Sequence, residues 1–165
     1  MSTTTSRTQP ALIGGLIIGV LSALPLVSAG NLCCCLWVVS GGVVAAYILQ
    51  ENQATPITAA DGAYVGLLAG LTGAFVYLLL SIPITVLIAP MERLVMQRLM
   101  ESAGNMPPEF REYMGTYIGG GVRLALGFTF MLFVGAIFST VGGLLGAAIF
   151  RKQLPPGTVD ASAAR

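Results

Sequence analysis

The sequence predicts an all-α polytopic membrane protein with four transmembrane helices, two helical hairpins and an interfacial amphipathic helix. Three observations predict it. Of the 165 residues, 55% are hydrophobic and only 9% are charged, with a mean hydropathy of +0.84. Soluble domains carry about 25% charge, and disorder demands a polarity that this chain lacks. Charge is also absent in long windows: 43 residues separate Arg7 from Glu51, 30 separate Asp61 from Glu92, and 27 separate Arg123 from Arg151. Finally, runs such as 78–80 and 131–134 are apolar on every side. Helices tolerate that, whereas barrel strands alternate.

A spanning helix needs about 20 apolar residues to cross a hydrocarbon core of about 30 Å. The first window is long enough for two spans and contains a break, Pro25 followed by Ser28-Ala29-Gly30-Asn31. Span one is therefore placed at 11–27 and span two at 32–50. Span three follows at 63–89 and span four at 120–150. Polar tails occupy 1–10 and 151–165, flanking a single transmembrane domain over 11–150. A competing reading makes the first span a secretory signal, with Arg7, an apolar stretch and a small-residue site at 27–29. Pro25 and Pro83 read as helix terminators near the membrane surface, the alternative being a functional broken helix.

Residues 90–119 differ in character. Met91, Leu94, Val95 and Leu99 lie along one side of a helical projection, with Arg93 and Arg98 able to snorkel. This segment, next to two spans, is expected to lie in the headgroup plane. A second short helix is expected from Glu109 to Tyr117, after Pro107-Pro108. The methionines at 91, 96, 100, 106 and 114 suit an adaptable docking face as well. Tyr47, Tyr64, Tyr113, Tyr117 and Trp37 fit aromatic belts.

Glycine contributes 21 residues, and its spacing carries more than its number. Gly62, Gly66 and Gly70 recur every fourth position before Ala74; Gly15 and Gly19 precede Ala23; Gly42 precedes Ala46; Gly135 and Gly143 flank Ser139. Lipid tails are as apolar as leucine, so helices associate in a bilayer through close backbone approach along such small-residue stripes. These eight glycines are the candidate helix-packing residues, within one chain or between copies. The halves also share short strings. Residues 14–19 resemble 65–70, and 41–46 resemble 142–148. Duplication of a hairpin about an axis along the membrane normal explains this; so does the narrow vocabulary of membrane helices.

Cys33, Cys34 and Cys35 are the possible modification or thiol site. Adjacent cysteines form no unstrained disulfide, and a metal site wants spaced ligands. Three readings stand: small apolar residues at the head of a helix, acyl attachment, and inter-subunit thiol or metal chemistry. With no histidine in the chain, there is no usual triad base, and no phosphate-binding loop ends in lysine. No cofactor, metal or catalytic residue is expected. Net charge is +1, which argues against nucleic acid. The spans lack an ionisable group in their middles, which lowers active transport.

The Gly-Gly spans, the string Ser-Ala-Leu-Pro at 22–25 and the stretch Gly-Asn-Leu-Cys-Cys-Cys-Leu-Trp at 30–37 resemble small four-span bacterial and archaeal membrane proteins of unknown function. The resemblance implies a multi-pass protein of a prokaryotic inner membrane and carries over no activity or site. Expected partners are the lipid bilayer and either further copies of the chain or a larger membrane complex. The expected role is a non-enzymatic structural or partner-binding unit, the alternative being an oligomeric channel. Positive residues tie between the two sides, Arg7, Arg151, Lys152 and Arg165 against Arg93, Arg98, Arg111 and Arg123. Arg151-Lys152 abutting a span tips the expectation toward cytoplasmic termini.

Overall fold

The computed structural model describes residues 7–24, 27, 35–102, 109 and 120–152. These form four α-helices and, among the described residues, no strand: α1 Thr8–Ala23, α2 Leu36–Glu51, α3 Ala59–Ser102 and α4 Gly120–Phe150. They run up, down, up and down. By length and composition two stretches can cross a membrane, Ala59–Met91 in α3 (33 residues) and Leu124–Phe150 in α4 (27 residues). The helices α1 and α2 have 16 residues each, about 24 Å, and fall short of the length expected of a span.

Local chemistry sets each boundary. Helix α1 starts three residues before the expected position because Pro10 is tolerated in a first turn. It stops at Ala23 because the following proline forces Leu24 into extended backbone, with ψ 123°. Helix α2 begins at Leu36 rather than 32, behind Cys35 in the left-handed region at φ 51°. The carbonyl of Cys35 nevertheless accepts from the Val38 and Val39 amides, at 2.9 and 3.0 Å.

Helix α3 begins four residues earlier than expected because Thr58 and Asp61 form a capping box. The Asp61 carboxylate accepts from the Thr58 amide (3.1 Å) and hydroxyl (2.7 Å), while the Asp61 amide donates back to the Thr58 hydroxyl (3.1 Å). Two orphan donors of the first turn are thereby satisfied, and a negative charge sits at the positive end of the helix dipole. Asp61→Ala should lower stability by about 1 kcal/mol, the usual worth of a cap. The thermal midpoint in detergent measures this, and the loss should persist in high salt because its larger part is hydrogen bonding.

The distal end of α3 corrects the expected loop. No break occurs at Pro83 or Pro90; both lie inside one helix of 44 residues, about 66 Å long. The segment from Met91 to Ser102 continues α3 and is not a separate helix turned into the headgroup plane. The short helix expected at 109–117 falls outside the described residues except for Glu109, as do Pro25, Cys33, Cys34 and both tails beyond 7 and 152.

Packing follows a lopsided square. Helix α1 lies against α2 and α3, and α4 lies against α2 and α3. Helices α2 and α3 touch across the middle, while α1 and α4 do not meet among the described residues. A two-fold axis along the bundle would exchange the α2–α3 and α1–α4 pairs, so one cannot exist without the other. The hairpins are instead displaced side by side. Repeat-equivalent residues agree: Gly42 of α2 faces Ser139 and Gly143 of α4, whereas its counterpart Gly143 faces Gly62 and Gly66 of α3.

Size sorts inward and outward positions. The core holds Ala11, Ala45, Ala46, Ala69, Ala74, Ala147 and Ser139 beside a few larger residues such as Ile18, Leu49 and Val65. Large apolar side chains cover the outside, among them Leu79 (68% exposed), Phe130 (69%), Phe133 (67%) and Ile149 (66%). Water-soluble bundles bury such residues.

Candidate functional site: the small-residue seams and the polar end

The eight candidate glycines all sit where helices meet. Along the antiparallel α3–α4 seam, a Cβ at Gly62 would stand 2.5 Å from the Gly143 carbonyl oxygen, and one at Gly135 would stand 2.9 Å from that of Gly70. Cβ atoms at Gly66 and Gly70 would run into the Ser139 and Gly135 carbonyls, and one at Gly143 into that of Gly62. Backbone therefore lies directly on backbone. The Ser139 hydroxyl uses that proximity to donate to the Gly66 carbonyl across the seam at 2.7 Å. It is fully buried, and the bond satisfies a hydroxyl that hydrocarbon could not.

The α1–α3 seam is different. Gly15 faces Ala69 and Thr72, and Gly19 faces Gly73 and Val76. Thr72 bonds the carbonyls of Ala11 (3.2 Å) and Leu68 (2.8 Å), joining α1 to α3. Helix α3 thus carries two contact faces. One, Gly62-Gly66-Gly70, receives α4; the other, Ala69-Thr72-Gly73-Val76, receives α1. The sequence reading identified only the first. The second mixes Thr and Val with small residues, and its signal was the recurrence of 69, 72, 73 and 76 at helical spacing. Gly42 completes the set on α2 by facing Ser139 and Gly143 of α4.

One end of the bundle gathers polar groups. Arg7 pairs with Asp61 at 2.6 Å and lies 5.6 Å from the centre of the Tyr64 ring. Gln50 is buried at the α2–α3 turn, where it donates to the Thr55 carbonyl (3.1 Å) and accepts from the Ile57 amide (2.9 Å). Lys152 donates to the Gln53 carbonyl at 3.1 Å. The seam and turn contacts tie the beginning of α1, the α2–α3 turn and the end of α4 together. Sequence reasoning missed Thr58, Asp61 and Gln50 as structural residues, although Thr58-x-x-Asp61 ahead of an apolar run is a capping signature.

At the other end, Cys35 is half-buried and packs against the core, an environment that suits the reading of a small apolar residue at a helix head. The Trp37 indole donates to the Val27 carbonyl at 2.7 Å. At the polar end Tyr47 meets Phe150 edge-on at 5.0 Å, and further along the bundle Phe75 meets Phe128 at 5.6 Å. Among the described residues no three His, Cys, Asp or Glu side chains come together as a metal would need.

No family model matches the chain, and no curated protein or solved structure matches it either.

Proposed function

We propose that this chain is a non-enzymatic integral membrane protein of a prokaryotic inner membrane, a four-helix unit that crosses the bilayer four times with both termini in the cytoplasm and acts as a structural or partner-binding element. The observation that carries the proposal is the inverted distribution of side-chain size. Leucine, phenylalanine and isoleucine face outward on all four helices, including Leu12, Leu16 and Leu36 on the two short ones, while glycine, alanine and serine fill the seams. Lipid rewards that arrangement and water penalises it.

The two long helices supply the length a span requires, and the two short ones lie alongside them in register. The hydroxyls of Ser139, Thr72 and Thr140 are each bonded to backbone carbonyls. That supports a packed unit over a solute path. Resistance to alkaline carbonate extraction is the expected behaviour in membranes. Purified in mild detergent and reconstituted in liposomes, the protein should show no solute flux. Sustained flux carried by an oligomer would replace this reading with the channel.

A further inference from the structure

Among the described residues, helix α3 holds buried positions along only part of its length. Its seams with α1 and α4 run from Gly62 to Tyr77, the last anchors being the Phe75–Phe128 ring pair and Tyr77, whose hydroxyl lies 3.1 Å from a Cβ built on Gly127. Beyond Ala74 none of its described residues is buried. Val86 is 72% exposed and Leu87 82%. Both helix-interior prolines fall in this part and are exposed, while Ile84, Thr85, Ile88 and Ala89 between them are half-covered.

Each proline removes an amide and crowds the carbonyl four residues before it, at Leu79 for Pro83 and at Val86 for Pro90, at a cost of about 3 kcal/mol in a helix interior. Seven residues apart, they stand within about 20° of each other around the axis. Bends at the two sites therefore add in one direction. A helix is weakest where its ladder is broken, and here the breaks lie past Ala74, the last buried position of α3 among the described residues.

We propose that Pro83 and Pro90 form a two-point hinge, and that residues 84–102 are an arm that changes its angle to the bundle while α3 stays anchored through Gly62–Tyr77. The arm presents Arg93, Gln97, Arg98 and Glu101 as exposed groups, so a swing moves a charged, amphipathic surface relative to the rest of the molecule.

The test is a distance distribution between spin labels at Leu67→Cys and Gln97→Cys, in the full-length chain carrying Cys33→Ser, Cys34→Ser and Cys35→Ser. A rigid helix would hold these positions about 45 Å apart. The hinge predicts a broad distribution reaching well below that length, collapsing to a narrow one near it in the Pro83→Ala, Pro90→Ala double variant. A narrow native distribution overturns the proposal, as does a breadth that survives removal of both prolines. Hydrogen exchange on the cysteine-intact protein gives a second readout. Amides at 84–91, outside the prolines, should exchange at least tenfold more slowly in the double alanine variant, and unchanged rates also overturn the hinge.

Discussion

Gly70→Leu should separate α3 from α4 and lower the thermal aggregation midpoint in detergent by roughly 10 °C or more, and Gly66→Leu should do the same. At both positions the added carbon meets a main-chain carbonyl, that of Gly135 or Ser139. Backbone cannot swing aside as a side chain can, so the helices themselves must part. Parting them also breaks the Ser139–Gly66 hydrogen bond and exposes a seam with no hydrophobic force to draw it closed again. Gly121→Leu provides the contrast. Among the described residues nothing lies within 4 Å of a Cβ at Gly121, so that variant should hold its midpoint or rise slightly. Equal losses at all three positions would mean that helix propensity or lipid exposure, and not the seam, governs stability.

Gln50→Leu should produce the second large effect. The side chain is almost completely buried and serves both directions of the α2–α3 turn, donating to Thr55 and accepting from Ile57. Leucine preserves the approximate volume while leaving the Ile57 amide, itself at a buried position, without its acceptor. An unsatisfied buried donor costs about 1–3 kcal/mol. The expected signs are a lower thermal midpoint and faster proteolytic cleavage between Asn52 and Thr58. A loss of midpoint with no change in cleavage would place the defect in the helices and not in the turn.

Much of the architecture was legible before any coordinates. The α4 end expected at 150 matches the helix observed, because Arg151 ends the apolar run. Helices α1 and α2 were expected with their order right and their ends displaced. Pro25 stops α1 at Ala23, and left-handed Cys35 delays α2 to Leu36. The larger error concerned α3. Prolines were read as terminators, and a change of composition at residue 90 was read as a change of direction. An interior proline weakens a helix without ending it when the flanking residues favour helix on both sides, as Val-Leu-Ile-Ala and Met-Glu-Arg-Leu do here.

The candidate glycines were readable for a related reason. Four-residue spacing is a property of one helix, and it marks a smooth face whatever later covers it. Gly15, Gly19, Gly42, Gly62, Gly66, Gly70, Gly135 and Gly143 all lie at seams. Their partners were not readable. Nothing in the chain order says that Gly66 meets Ser139 while its repeat counterpart Gly15 meets Thr72.

The one-dimensional pattern by itself determined a helical chain with an apolar exterior, where its long apolar runs lie and which stripes could approach closely, since charge, hydropathy and small-residue spacing act within single helices. Only the tertiary structure decided that α1 and α4 do not meet among the described residues, that α3 meets α1 and α4 with two different faces while also touching α2, and that its buried positions stop at Ala74. Those outcomes depend on which pairs of backbones can come into contact at once in three dimensions, and that competition among seams is a property of the whole bundle.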